Sequence, residues 1–218
     1  MGFVIAVDGP AASGKGTLSK RIAAHWGLAH LDTGLLYRAV ARLLLDKNRP
    51  LDDENAAEAA AYALELAFMD ESRLRGAEMG EAASRVSVIP AVRAALLDRQ
   101  RAFAAQEPGA VLDGRDIGTV ICPDADVKLF VTASAQERAR RRHRELVGRG
   151  DAPPFETVLA DIRARDARDQ GRAAAPLRPA DDAVLLDTSD LDIEAAFARA
   201  VEIVEAARGA SSLRSRAH

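Results

Sequence analysis

The chain is poor in the residues that mark secreted, membrane-bound or metal-binding proteins. Its 218 residues include one cysteine, Cys122, so an intramolecular disulfide cannot form and a reducing compartment is expected. Apolar runs stay well short of the roughly 20 residues of a membrane-spanning helix, and a predicted strand at residue 3 leaves no room for a signal peptide. The four histidines and Cys122 lack metal-ligand spacing. We therefore expect a cytoplasmic location and no membrane partner.

Aromatic residues are also scarce, at 4%, whereas hydrophobic residues make up 48%, which favours a globular interior of aliphatic side chains and alanine. A formal net charge of −3 argues against a nucleic-acid partner. Lysine is absent between Arg138 and Arg178, where eleven arginines stand. Because guanidinium groups bind phosphate oxygens through paired N–H donors, this region is a candidate phosphate-binding region. An arginine bias in genome composition is a competing explanation, since lysine is scarce throughout the chain.

Residues 9–17 carry the clearest functional signal. They follow the apolar run 3–7 and precede a helical pattern, which is the context that a phosphate-binding loop requires. Glycines let backbone N–H groups approach phosphate oxygens, and the helix N-terminus adds a favourable dipole. The predicted ATP-binding residues are Gly9, Pro10, Ala11, Ala12, Ser13, Gly14, Lys15, Gly16 and Thr17, with Lys15 bridging the β- and γ-phosphates. A plain glycine turn is the alternative, and nine matching positions disfavour it.

The whole pattern predicts an α/β fold of the P-loop NTPase type, with a five-stranded parallel sheet and helices on both faces. The predicted strands are 3–7, 29–31, 110–113, 127–132 and 183–187. Helices are predicted near 14–26, 34–46, 53–67, 90–106, 134–147, 154–171 and 192–208. The long stretch without a predicted strand before residue 110 indicates a helical insertion. The tail 211–218 has no periodicity and is predicted to be disordered.

Asp113 ends a predicted strand in the segment Asp113-Gly114-Arg115-Asp116. A carboxylate there lies at the carboxyl edge of a parallel sheet, where ligands bind in this architecture, and it can hold the water shell of Mg²⁺. A strand-ending aspartate in a turn is the alternative. The adjacent Arg115 and Asp116 favour a site, since they offer a phosphate clamp and a polar acceptor.

The segment after the second predicted strand carries Thr33, Tyr37 and Arg38. Thr33 and Tyr37 are four residues apart and share a helix face, with Arg38 beside them. A hydroxyl, a phenol and a guanidinium suit a phosphorylated acceptor. The alternative is that Asp32 or Thr33 is simply the N-cap of the helix, and it carries about equal weight.

Arg165, Asp169 and Arg172 are spaced i, i+4 and i+7, so they form one stripe along a helix. From spacing alone, a solvated salt-bridge ladder is the simpler explanation. Arg163 and Arg168 leave the same helix with excess positive charge, which instead favours phosphate binding.

Taken in order, these segments resemble those of the bacterial cytidylate kinases. The likeness runs from about residue 3 to about residue 207, and its most specific parts are Asp-Gly-Arg-Asp at 113–116 and Arg-Asp-x-x-Asp at 165–169. Residues 31–38 and Ala83-Ser84 with Pro90-Ala91-Val92-Arg93 also match. The resemblance implies phosphoryl transfer from ATP to CMP or dCMP. The segment 68–80 is shorter than the β-rich stretch that the family usually carries there, and Thr33 stands where serine is more usual.

Carried over residue by residue, the resemblance implies a complete site. The implied CMP-binding residues are Thr33, Tyr37, Arg38, Ser84, Arg93, Arg115, Asp116, Arg165, Asp169 and Arg172. The implied catalytic residues are Lys15, Arg115, Arg165 and Arg172, while Thr17 and, through water, Asp113 would hold the Mg²⁺ that accompanies ATP. Cytosine supports this independently, because its N4 amino donor and its N3 and O2 acceptors complement a carboxylate at Asp116 and a guanidinium at Arg93. Uracil reverses the pattern of donors and acceptors at positions 3 and 4, where it has an N3–H donor and an O4 acceptor.

The chain is therefore interpreted as one kinase domain, 1–210, before the tail. The core is expected at about 1–50, 108–147 and 180–208, the monophosphate-binding insertion at about 51–107 and the lid at about 148–175. ATP and CMP or dCMP are the expected partners, and the protein is expected to be a monomer. A kinase of UMP, AMP, dTMP or a non-nucleotide alcohol is the alternative. A nucleotide-dependent switch is disfavoured, because the guanine-reading motif Asn-Lys-x-Asp does not occur.

Overall fold

In the computed structural model, which describes residues 2–65, 71–74 and 76–215, five parallel strands form one sheet. They are β1 (Phe3–Asp8), β2 (Ala29–Asp32), β3 (Gly109–Gly114), β4 (Val127–Thr132) and β5 (Val184–Asp187), in the order β2-β3-β1-β4-β5. The predicted sheet is confirmed. The strands β2 and β3 lie on one side of β1, and the later strands β4 and β5 lie on the other. This change of side opens a crevice at the carboxyl end of β1.

Eight α-helices surround the sheet in the described part of the chain. They are α1 (Lys15–Trp26), α2 (Thr33–Asp46), α3 (Glu54–Tyr62), α4 (Ala77–Val86), α5 (Pro90–Ala104), α6 (Ala135–Gly148), α7 (Phe155–Gln170) and α8 (Ile193–Ser215). Short helical turns occupy Glu71–Leu74 and Ile117–Ile121. Over the described residues, none of the helices combines the length and apolar character needed to cross a bilayer.

The helices differ from the prediction at three places. α3 ends at Tyr62, so residues 63–65 are not helical, and residues 66 and 67 lie outside the described residues. α4 was not predicted, although its buried side chains, Met79, Ala82, Ala83 and Val86, have the i, i+3, i+4 and i+7 spacing of an amphipathic helix. α8 continues to Ser215, whereas disorder was predicted over 211–218. Of the short segment 68–80, residues 68–70 and 75 are not described, and the described remainder is helical or turn.

Helices cover the sheet on both faces, which explains its apolar strands. On one face Leu18 of α1 and Val204 of α8 belong to the cluster that includes Val7 and Leu129. On the other face Ala104 of α5 packs with strand residues such as Leu112. The sheet is therefore a rigid base whose carboxyl edge holds the loops after β1 and β3.

Two further apolar clusters join the helices around that edge. The first links α2 through α5 and includes Leu36, Val40, Ala57, Val86 and Val92. The second packs Ala11, in the loop after β1, against the pair α6 and α7 through Ala139, Leu159 and Ile162. Helices from two parts of the chain thus stand on either side of the crevice.

The side chain of Asp8, the last residue of β1, binds the backbone that follows β3. Its two carboxylate oxygens accept hydrogen bonds from the N–H groups of Ile117 and Gly118, each at 2.8 Å. Burial raises the pKa of Asp8 to about 6 despite these two donors. The contact fixes the segment Gly114–Asp116 above the sheet edge.

We expect Asp8→Asn to change the pH dependence of stability. A carboxyl whose pKa is raised on folding stabilises the fold below its unfolded pKa, near 4, and loses that contribution as pH rises through about 6. The unfolding free energy of the wild type relative to Asp8→Asn should therefore fall by about 3 kcal/mol between pH 4 and pH 7. Urea unfolding of both proteins across this range measures it, and a constant difference would contradict the assigned shift.

Candidate active site

The loop after β1 has the backbone geometry that phosphate binding requires. Gly9 has φ 154°, and a Cβ added there would lie 2.0 Å from the Val131 carbonyl oxygen, so only glycine fits. Gly14, at φ 87°, is the N-cap of α1. Lys15 Nζ donates to the Pro10 carbonyl oxygen at 3.3 Å, and Ser13 Oγ is buried without a hydrogen-bond partner among the described residues. Polar groups of the loop are therefore available for an anion.

A narrow cavity of about 140 Å³, called here the arginine cavity, opens beside this loop. Side chains from β2, α2, α4, α5, β3 and the segment after α7 meet there. Its lining includes Lys15, Thr33, Tyr37, Arg38, Ser84, Arg93, Asp113, Arg115, Asp116, Arg165 and Arg172. Asp169 lies behind the lining and forms ion pairs with two residues of it, Arg115 and Arg172. The residues expected from separate segments of the sequence thus converge on one space.

Asp113 is anchored at the end of β3 and faces the phosphate loop. His30 Nε2 donates to its Oδ2 at 2.7 Å, while Thr33 Oγ1 donates to its backbone carbonyl at 2.9 Å. A Cβ added to Gly16 would lie 3.8 Å from the other carboxylate oxygen, Oδ1. Within the described residues there is no cluster of three or more His, Cys, Asp or Glu side chains that could hold a metal ion. A cation here would take Asp113 Oδ1 and ligand oxygens.

The N-cap alternative is confirmed for Asp32, whose side chain accepts from the Gly34 N–H at 2.9 Å. Thr33 is not the cap, since its hydroxyl binds Asp113 and its side chain is buried. The N-cap and site interpretations therefore apply to adjacent residues. Capping by Asp32 starts α2 so that Thr33 and Tyr37 both face the arginine cavity.

Arg93 and Asp116 form a buried ion pair at the far end of the cavity. Arg93 also donates to Tyr37 Oη at 3.3 Å and lies over the Tyr37 ring, 5.9 Å from its centroid. Burial raises the pKa of Asp116 even though Arg93 stabilises its charged form. A carboxylate and a guanidinium thus lie side by side, facing the same space.

Asp169 is shared between two arginines. It accepts from Arg115 Nε at 2.9 Å and also pairs with Arg172, and its own side chain is 1% exposed. Burial acts to raise the pKa of Asp169, but Arg115, Arg172 and Arg165 together lower it. The solvated ladder considered for this stripe is therefore wrong, because the stripe faces the cavity rather than water.

Three cations of the cavity have no carboxylate partner within the described part of the chain. Lys15 and Arg38 donate only to backbone carbonyl oxygens, and Arg165 Nε is buried without a hydrogen-bond partner among the described residues. Burial, and secondarily Arg115, lowers the pKa of Lys15 to about 7 and that of Arg165 to about 9. Partly buried cations of this kind are stabilised by an anionic ligand, so the charge of the cavity suits an anion.

A second cavity, of about 660 Å³, lies on the outer side of the phosphate loop. Ser13, Gly14 and Thr17 line it from the loop and α1. Arg141 and Arg144 of α6 close one side, and the segment Thr188–Ile193 after β5 closes the other. Thr17 lies outside the arginine cavity, but it also lines a third cavity, of about 340 Å³, together with Lys15 and Gly16, which line the arginine cavity as well.

Sequence reasoning missed several residues of the two cavities. Ser87 lines the arginine cavity and accepts from Arg172 at 2.9 Å, and its position one helical turn after Ser84 was an available signal. Arg141 donates to the Ser13 carbonyl oxygen at 3.2 Å and to the Thr188 hydroxyl at 3.0 Å. Arg141 is one of the eleven arginines between Arg138 and Arg178, but its contact with Thr188, the residue after β5, depends on tertiary packing.

Comparison with known proteins agrees with this geometry. The family model described as Cytidylate kinase matches residues 5–206. The chain belongs to the cytidylate kinase family. Its relatives include the cytidylate kinase of Methylobacterium sp., 70% identical over 94% of this chain and 97% of that protein. The cytidylate kinase of Methylocella silvestris is 64% identical over 94% of this chain and 95% of that protein.

A solved structure shares the fold of this cytidylate kinase family member at low sequence identity. The gluconokinase from Sinorhizobium meliloti superposes with a TM-score of 0.50 at 18% identity, over 99% of this chain and 98% of that one. The likeness concerns the fold alone. The α/β kinase architecture is thus common to both chains, while the residues of the arginine cavity must be argued from this chain.

We expect Arg172→Ala to lower activity far more than stability. Arg172 faces the cavity, whereas Asp169 keeps Arg115 as a partner, so the loss in unfolding free energy should stay below about 2 kcal/mol. The turnover number should fall by about 10²-fold, as is typical when a positioned cation is removed. Arg163→Ala, an exposed position on α7, is the matched control. If Arg172→Ala keeps activity within about twofold of wild type, Arg172 has only a structural role and the prediction is wrong.

Proposed function

We propose that the protein transfers the γ-phosphoryl group of ATP to CMP or dCMP, giving ADP and CDP or dCDP. The observation that carries the proposal is the arginine cavity, where Lys15 of the phosphate loop meets Arg38 and Arg165, which lack a carboxylate partner among residues 2–65, 71–74 and 76–215. Phosphoryl transfer needs such positioned charge more than covalent help. Membership of the cytidylate kinase family supports the same acceptor.

On the donor side, the phosphate loop would hold the ATP phosphates with its backbone N–H groups and Lys15. The second cavity, next to Ser13 and Thr17, would take the adenosine part, since at about 660 Å³ it is the roomiest of the described cavities that adjoin the loop. Asp113 through water and Thr17 would hold Mg²⁺, because hard oxygen ligands suit this ion. Bound there, Mg²⁺ would neutralise charge on the ATP phosphates.

On the acceptor side, Arg38, Arg115, Arg165 and Arg172 would bind the monophosphate, with Asp169 near the sugar. Thr33 and Tyr37 would border the acceptor from α2. Asp116, Arg93 and Ser84 would read the base. Lys15, Arg115, Arg165 and Arg172 are then the residues that stabilise charge on the transferring group. In this scheme residues 51–107 form the monophosphate-binding insertion and 148–175 the lid, whose closure would exclude water as a competing acceptor.

A kinase of a different small acceptor is the second candidate. The pairing of a carboxylate with a guanidinium at Asp116 and Arg93 favours cytosine over uracil, because N4 is a donor where uracil has the O4 acceptor. We further propose that the protein is cytoplasmic and acts as a monomer.

Lys15→Ala should lower ATP-dependent turnover of CMP by at least about 10²-fold while the protein stays folded. The lysine faces both phosphate groups, and its loss removes charge from the transition state. ADP release is measured with and without CMP by a coupled assay, and folding by circular dichroism. Lys20→Ala, at an exposed position of α1, is the matched control. Full activity of a folded Lys15→Ala protein would refute the phosphate-loop mechanism.

CMP should be used about a hundredfold more efficiently than UMP, since uracil would set O4 against Asp116 and N3–H against Arg93. Asp116→Asn should narrow that ratio to about tenfold or less, because an amide can turn its N–H₂ group toward O4. Competition kinetics with both nucleotides measure the ratio. Asp124→Asn, an exposed position, is the control. Equal use of CMP and UMP by the wild type would leave a kinase but remove this base-reading role.

A further inference from the structure

Arg168 of α7 reaches across to α4 and contacts a residue that lines the arginine cavity. Its Nη1 donates to Ser84 Oγ at 2.8 Å, and the same guanidinium forms an ion pair with Glu81 at 2.8 Å. Glu81 and Ser84 are three residues apart, so they lie on one face of α4. One guanidinium thus joins two neighbouring side chains of the facing helix.

Arg168 lies behind Ser84 rather than in the cavity. Ser84 is 2% exposed and belongs to the cavity lining, whereas the Arg168 side chain is 31% exposed and is absent from that lining. An effect of Arg168 on a bound ligand must therefore pass through Ser84. This distinguishes Arg168 from Arg165 and Arg172, which line the cavity themselves.

The chemistry of the contact fixes how Ser84 presents its hydroxyl. A guanidinium has donors only, so Ser84 Oγ must be the acceptor. One lone pair is then occupied, and the hydroxyl proton and the second lone pair remain for a ligand. A hydroxyl without this partner would rotate freely among its staggered positions. The contact with Arg168 thus orders a polar group that faces the cavity.

A second contact repeats this arrangement one turn away. Arg172 Nη2 donates to Ser87 Oγ at 2.9 Å, so arginines four residues apart in sequence meet serines three residues apart on and just after α4. One contact joins the two helices and the other joins the segments that follow them, so together they restrict rotation of α4 against α7 more than one contact would. Ser84 therefore has a defined position relative to the segment that carries Arg165 and Arg172.

We propose that Arg168 is a positioning residue that sets acceptor specificity by orienting the Ser84 hydroxyl toward the base. The inference rests on the proposed function, in which Ser84 reads the base. Arg168 touches no substrate. Its removal should therefore weaken the choice of base and the binding of CMP, while the phosphoryl-transfer step at saturating CMP is largely kept.

The test is a double-mutant cycle with Arg168→Met, Ser84→Ala and the double variant. Arg168→Met should raise the KM for CMP by about tenfold and lower the CMP-to-UMP preference by a similar factor, with kcat within about threefold of wild type. In the Ser84→Ala background the same substitution should change that preference by less than about twofold, because its effect passes through the missing hydroxyl. Arg163→Met, exposed on the same helix, is the matched control.

Additive effects of the two substitutions on the preference, or an unchanged preference in Arg168→Met, would overturn the inference. Arg168→Lys keeps one donor and the charge, so it should restore part of the preference. Glu81→Gln removes the ion pair alone and should leave the preference within about twofold of wild type, whereas a merely structural role of that ion pair would lower it as Arg168→Met does. Arg168→Lys also replaces Arg168→Met in the test if the methionine variant does not fold. A CMP-to-UMP preference equal to that of wild type in both Arg168→Lys and Arg168→Met would overturn the role. A wild type that phosphorylates neither CMP nor UMP would refute the proposed function itself, which separates the two failures.

Discussion

The ion pairs of Asp169 hold the arginine cavity together. This buried carboxylate contacts Arg115 at the edge of the sheet and Arg172 beyond the end of α7, and its backbone carbonyl accepts from the Leu177 N–H at 2.8 Å. Without it, two guanidinium groups would face each other among further cations, and an uncompensated buried charge costs about 3–5 kcal/mol in comparable cases. Asp169 thus lets the cations assemble before a phosphate arrives, and it ties α7 to the sheet.

The carboxylates of the cavity do not balance all of its cations. Asp169 and Asp116 pair with Arg115, Arg172 and Arg93, and the other two carboxylates, Asp32 and Asp113, cap α2 and bind His30. Among the described residues, this leaves Lys15, Arg38 and Arg165 to backbone groups or to no partner. Burial lowers the pKa of Lys15 and of Arg165, as expected for cations that water solvates poorly. Phosphate oxygens would supply the missing charge. The uneven balance therefore favours an anion at the point where the phosphate loop meets the arginines.

The parts of the structure that could be predicted from sequence are those that local pattern determines. Short apolar runs predicted the strands, and the glycines of residues 9–17 predicted the phosphate-binding loop, in which Gly9 and Gly14 have positive φ angles. α4 was missed although it could have been predicted, because Met79, Ala82, Ala83 and Val86 are spaced as one face of a helix. The pairing of Arg168 with Ser84, by contrast, could not be predicted, since it joins residues 84 positions apart through tertiary packing.

The site divides its tasks between elements of different rigidity. Lys15, Asp113 and Arg115 lie at the carboxyl edge of a sheet that is covered on both faces, so the groups that would meet phosphate have fixed positions. Ser84 depends instead on α4 meeting α7, through contacts to half-exposed side chains such as Glu81. Such contacts are individually weak, about 1 kcal/mol or less. The position of Ser84 should therefore be more sensitive to helix packing than the positions of Asp113 and Arg115, because Ser84 relies on weak contacts between helices, whereas Asp113 and Arg115 are held by the sheet.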